Sequence, residues 1–311
     1  MPILQGWPDS DGREVEKRLE EAPLQDVRDQ VLADGQNMLS GSKATLWQWR
    51  AMVRLMPCNV PLGLIADIAR VSRNTALLMR RKLFAPISRR QSKAKLSGTV
   101  FIDEIYVPDS IRPKSHFGPN RRGLSKDKCC VFVAIDANMS MVASFAGHGS
   151  PTSKEISEAL GGHLEKGGAK LIVHDGLRSR AKAVADSKSA EEMHKPASKD
   201  PNDLKAMLLI NPFCSWLQRF LGKFVGMDTE YLQDYLNWFV CLFRCKRQMD
   251  RWPEDIRAIR HMLLDDAVLK RKEIWARRAK SRKEIEARRR DNGKAGANGT
   301  HDGNGGNKRN Q

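Results

Sequence analysis

Between residues 97 and 246, short apolar runs of β type alternate with helical patterns, and this alternation constrains the fold of the 311-residue chain most. TVFIDEIYV (99–107) is a first strand. CCVFVAIDAN (129–138) and MVASFAGHG (141–149) are two more, joined as a hairpin near Asn138, Met139 and Ser140. SKEISEALGGHLEKG (153–167) is a helix ending at a glycine pair, and AKLIVHDG (169–176) is a buried strand ending in an acid. Strand, strand, strand, helix, strand, helix predicts an α/β domain built on a mixed sheet. Further on, Tyr231, Leu232, Tyr235, Leu236, Trp238 and Phe239 form the apolar face of a packing helix.

Two acids interrupt the first strand. Asp103 and Glu104 contradict its apolar pattern, and such violations concentrate at functional sites. Side chains alternate along a strand, so Glu104 faces away from Asp103 and is the lesser candidate. Asp175 ends the fourth run; an Asp followed by Gly is also an ordinary turn former. His174, beside it, reads as a structural hydrogen-bonding residue. A carboxylate midway along the first strand and another at the end of the fourth is the layout of the ribonuclease-H-like fold, where those strands are neighbours. Adjacent carboxylates repel unless a divalent cation lies between them, and hard oxygen ligands select Mg²⁺ or Mn²⁺. Paired metals clamp the attacking and leaving oxygens of a phosphodiester. The expected chemistry is phosphoryl transfer on nucleic acid.

The charge agrees. With 54 Lys+Arg against 37 Asp+Glu the chain carries +17, which points to a polyanionic partner. No apolar run approaches the ~20 residues of a membrane span, and the N-terminus has no secretory pattern. Six cysteines, none in a CxxC pair, predict neither a disulfide scaffold nor a zinc site, and a cytoplasmic compartment. Cys129 and Cys130 read as small core residues, and Cys241 and Cys245, one helical turn apart, likewise.

Composition divides the chain into a polar arm (1–37), a basic helical region (38–96), the α/β region (97–246), a basic helix (247–290) and a Gly/Asn-rich tail (291–311) expected to be disordered. Residues 246–290 hold 16 Lys/Arg against 8 Asp/Glu, a bias that favours phosphate contact over a merely solvated helix. Region 38–96 reads as three helices, TLWQWRAMVRLM, LGLIADIARV and RNTALLMRRKLF, the last two in a helix-turn-helix pattern. There the second helix lies in the major groove with its first residues at base edges. These are Ser72, Arg73, Asn74 and Thr75, followed by Arg80, Arg81 and Lys82. A plain three-helix bundle is the competing reading.

GTVFIDEIYV, LIVHDG and LLINPFCSWLQRFLGKFVGMDTEYLQDYLNWF together resemble bacterial insertion-sequence transposases of the DDE superfamily, ISXO-like type, over residues 38–246. The resemblance implies a catalytic set of Asp103, Asp175 and Asn211 holding Mg²⁺ or Mn²⁺. A family lysine would fall at position 218, where this chain has Gln218. The family's N-terminal zinc ribbon has no counterpart, since no cysteine precedes Cys58. The implied activity is metal-dependent cleavage at transposon ends and strand transfer into target DNA, by a homo-oligomer assembled on DNA. The alternative is a decayed or domesticated DNA-binding protein of the same fold. Asn211 followed by Pro212 is also a helix-start signature in its own right, with Asn as the cap. Asp203, Asp228 and Glu230 are the reserve candidates for the third ligand.

Overall fold

The computed structural model describes residues 39, 42–56, 58–108, 128–174, 190–193, 208–224, 227–247, 269–280 and 283. The expected polar arm and disordered tail lie outside the described residues, as does most of the basic helix.

Three helices come first. In α1 (Leu46–Leu55) the Thr45 hydroxyl accepts from the Gln48 amide and the Gln48 side chain from the Thr45 amide, a reciprocal cap. Trp49, Met52 and Val53 bury its inner face. Helix α2 (Leu62–Ile68) starts after Pro61. The turn after it passes through Arg70 at φ 50 and ends at Ser72, whose hydroxyl accepts from Thr75 N–H and caps α3 (Arg73–Ser92). The sequence pattern predicts that α3 stops at Phe84, ahead of Pro86. The helix instead carries Pro86 inside it, because Phe84, Pro86, Ile87 and Gln91 are all buried. Tertiary burial outweighs the local cost of an interior proline here.

The sheet has the order β3-β2-β1-β4-β5. Its central strand β1 (Leu96–Pro108) pairs antiparallel with β2 (Lys128–Asp136) and parallel with β4 (Leu164–His174). Strand β3 (Met141–His148) continues the antiparallel side, and β5 (Ala190–Met193) lies parallel to β4. This is the mixed α/β architecture expected. At the β2–β3 turn Met139 sits at φ 67, and the buried Asp136 carboxylate accepts from Ser140 N–H at 2.7 Å and Ser97 N–H at 3.2 Å. Gly98, at φ +67, occupies a register shift against β4 that a side chain would resist.

Helix α4 (Ser153–Gly161) opens on a Thr152/Glu155 capping box and stops at Gly162. The sequence pattern predicts a helix running on to residue 167. The glycine pair ends it, and β4 begins at Leu164, five residues earlier than expected. Helices α5 (Ile210–Leu221) and α6 (Leu232–Arg247) follow, the latter entered through a 3-10 turn at Thr229–Tyr231. Residues 271–280 form a last described helix, α7.

Strand alternation sorts two cores. On one face Val100, Ile102, Cys130, Phe132 and Ala134 meet Ile156 and Leu160 of α4. On the other, Ile105, Val131, Val133 and Ile135 join α1, α3, α5 and α6 in one continuous cluster. The regions expected at 38–96 and 97–246 therefore contribute to the same core. Among the described residues no helix is long and apolar enough to cross a membrane.

Candidate functional site

Asp103 lies on the β1 face that meets α5. It is half-buried, and its Oδ1 accepts from the Glu104 backbone N–H at 2.9 Å. Its Oδ2 accepts from the Cys214 thiol of α5, with an S···O distance of 3.7 Å. The Asp103 side shares its face with Ile105, whereas Ile102 and Tyr106 belong to the opposite cluster. Glu104 therefore alternates away, as the strand period requires.

Cys214 fixes which line of α5 faces the carboxylate. Asn211 precedes it by three residues and Gln218 follows by four, so all three fall along one line of the helix. Cys214 is 7% exposed, while Asn211 and Gln218 are exposed and border that contact one turn to either side. Amide oxygens, like carboxylates, are hard ligands of the kind that Mg²⁺ or Mn²⁺ prefers. Among the described residues no group of three His, Cys, Asp or Glu side chains could hold a metal ion.

Asn211 is not the helix cap the sequence suggested. Helix α5 starts two residues earlier, at Ile210 rather than Pro212; Leu209 is its N-cap, and no side chain makes the capping bond. Asn211 is the second residue of the helix, and Pro212 the third.

Asp175 lies outside the described residues. The described register between the parallel strands β1 and β4 ends with Phe101 beside Val173. His174, the next residue, is 1% exposed, in keeping with a structural role. Of the reserve ligands, Asp203 lies outside the described residues, Asp228 precedes the 3-10 turn and Glu230 is 3.8 Å from Lys280.

The expected DNA-contacting residues divide. Ser72, Arg73 and Asn74 are exposed at the head of α3, and Thr75 is half-buried against the Ser72 cap. Arg80 is not a surface residue. It is 8% exposed, donates to the Tyr235 hydroxyl at 2.8 Å, and lies 5.4–5.9 Å from the ring centroids of Phe224, Tyr235 and Trp238. Burial lowers its guanidinium pKa, opposed by Tyr235. This corrects its assignment to the DNA face: α3 turns that position into α6. Arg81 is half-buried and covers the Tyr231 ring at 4.2 Å; Lys82 is half-buried too, and burial lowers its pKa.

Two residues, one on α5 and one in the sheet, carry no distinguishing mark of their own in the sequence pattern. Cys214 could have been found from its helical spacing to Asn211 and Gln218. Asp136 could not, because an acid ending a strand before a turn looks alike whether it binds a ligand or backbone amides. Behind Asp103, burial pushes the Cys130 thiol up to about 11, so this cysteine stays protonated and inert. A hollow of about 450 Å³ opens elsewhere, lined by Gln91, Ser144, Glu155, His163, Gln233 and Asn237. The side chains of Gln91 and Gln233 there bond the outer edge of β3, at Met141 O, Ala143 O and Phe145 N–H.

No protein-family model matches the chain, and no curated protein matches it. Among solved structures it is similar to a chain of a simian T-cell lymphotropic virus intasome in complex with PP2A regulatory subunit B56 gamma, at 11% identity and TM-score 0.31. That match covers 61% of this chain and spans only 65% of the other. It is also similar to a pre-cleavage Mos1 transpososome (13% identity, TM-score 0.23, covering 80% of this chain and 93% of that one). A third is the Mos1 mariner paired end complex with Mn (13%, TM-score 0.21, 78% and 92%). Likeness this distant does not by itself fix fold or function.

Proposed function

We propose that the chain is a DNA transposase of the DDE type, with a ribonuclease-H-like catalytic domain at 97–246 and a helix-turn-helix at 38–96. The observation that carries this reading is an equal offset on neighbouring strands. The parallel pairing of β1 and β4 is described as far as Phe101 and Val173, and Asp103 and Asp175 each follow those residues by two positions. A contact from α5 to Asp103 supports it further, because it turns the Asn211–Gln218 line of the helix towards the same carboxylate.

Asp103, Asp175 and Asn211 would hold Mg²⁺ or Mn²⁺. When bound, the cation supplies Lewis-acid stabilisation of the phosphodiester oxygens. Asp103 itself is oriented by acceptor bonds to its own strand and to α5. Gln218 offers a neutral amide beside the reacting phosphate, a hydrogen-bonding group where a cation would otherwise stand. The head of α3, with Ser72, Arg73 and Asn74 exposed beyond a short turn, suits base-edge contact in the major groove. The second reading, a DNA-binding protein that no longer cuts, is favoured by Gln218, which stands where the resemblance would put a lysine.

The test uses a plasmid carrying the gene with its flanking DNA. The parent should nick or cut it only with Mg²⁺ or Mn²⁺. Asp103→Asn and Asp175→Asn should each lose at least ~100-fold of that rate, the scale of losing one transition-state electrostatic contact, while DNA binding persists. Binding without cleavage in the parent would select the second reading, and metal-independent cleavage would sink the site.

A further inference from the structure

We infer that the outer face of α5 is a stacking platform for an unpaired nucleobase, centred on Trp216; this rests on the proposal that the chain binds DNA. Trp49 and Trp238 are buried, at 1% and 3% exposure, whereas Trp216 is 49% exposed. It is nevertheless held. One side of its indole packs on Phe243 with ring centroids 5.3 Å apart, and Phe243 in turn packs on Phe213 and Phe239. A large ring anchored along one side and open on the rest presents its face at little entropic cost.

Its neighbours define the partner. At 100° per residue Pro212, Trp216, Arg219 and Lys223 fall within an arc of roughly 60°. Arg219 and Lys223 are both exposed and make no ion pair among the described residues. Lys223 follows the Gly222 cap, its N–H bonded to Phe220 O, so the helical path carries it onto this ridge. An exposed aromatic flanked by two cations matches a nucleobase and its phosphates, and an acidic protein surface has no need of the indole. Single-stranded nucleic acid is bound in this way, by stacking plus backbone charge, whatever the sequence. The exposed surface of α5 runs from Gln218 through Arg219 to Trp216, across a helix about 10 Å wide. Cys214 and Trp216 are two residues apart, roughly 160° around the helix, so the platform lies on the face of α5 turned away from the Asp103 contact.

Binding is measured by fluorescence anisotropy in EDTA, so that no metal site is involved, with a blunt duplex, the same duplex bearing a single-stranded overhang, and a single strand. Trp216→Ala should weaken the overhang and single-strand probes roughly 10-fold, one stacked base, and leave the blunt duplex within about twofold. Trp216→Phe should recover most of the loss. The double variant Arg219→Ala/Lys223→Ala should weaken every probe and reduce the log–log salt slope by roughly 1.4–1.8. Equal effects of Trp216→Ala on all probes would overturn the platform. Unchanged binding with altered sedimentation would overturn it too, since the face would then contact protein. A parent that binds none of the probes would overturn the DNA reading itself.

Discussion

Arg80 carries a cation into an aromatic layer, where Phe224, Tyr235 and Trp238 surround it and the Tyr235 hydroxyl accepts its hydrogen bond. Truncation to Ala opens a cavity and removes that donor. The expected cost of Arg80→Ala is about 3 kcal/mol, with Arg80→Met, apolar and of similar length, recovering part of it. Urea unfolding measures both; an unmoved midpoint for Ala would mean the residue is a surface cation after all. Asn211 behaves in the opposite way. Exposed, and not a cap, it should tolerate Ser with less than about 0.5 kcal/mol of stability change, yet Asn211→Ser should lose most metal-dependent cleavage and Asn211→Asp should keep it. Cleavage by the Ser variant at the parent's rate would move the third ligand to Asp203, Asp228 or Glu230.

Helix α6 is the hub of the element packing. It meets α3 through Phe84, Tyr235 and Trp238, the β3 edge through Gln233, and α7 through Asp234. Asp234 accepts from Arg277 at 3.0 Å, yet burial raises its carboxyl pKa above the ordinary value in spite of that partner. A carboxyl whose folded pKa is raised contributes stability in full below its unfolded value, near 4, and loses it as pH rises through the folded one. Melting temperatures from pH 4 to 7 should therefore show Asp234→Asn gaining on the parent as pH increases; a gap that widens the other way would mean Arg277 dominates. Such pairings explain what could be read from sequence. Helices α1 and α4 were legible because helical patterning is local, and the β1–β3 runs through apolar strand patterning. Pro86 misled because its helix is held by residues far along the chain. The strand AEEM at 190–193 carries no apolar alternation and gave no signal. Asp103 was legible as a violation of pattern, whereas its contact with Cys214, 111 residues away, was not.

At the scale of the whole molecule, excess positive charge and a shared core pull the C-terminal segment two ways. The described part of the basic helix is docked: Ile274 is 2% exposed, its carbonyl accepts from the Tyr231 hydroxyl, Arg277 pairs with Asp234 and Lys280 lies near Glu230. Deleting residues 248–311 should therefore do more than weaken DNA binding and flatten its salt dependence. It should also lower the melting temperature, by several degrees for each ~1 kcal/mol lost, as Ile274 leaves its site and Asp234 loses its cation. Calorimetry of the truncated chain, alongside salt titrations, separates the two; an unchanged melting temperature would make the segment a DNA arm only.

The central position of β1 has a kinetic meaning. A strand bonded along both edges and covered on both faces belongs to the part of a protein whose amides exchange last, opening only with the whole domain. Asp103 thus rides on a slow clock. Helix α5, which reaches the carboxylate through the Cys214 thiol and is open along its other side, keeps a faster one. If a substrate strand is to be admitted, gripped and let go within a turnover, it is the helix that must yield, and the acid that stays still.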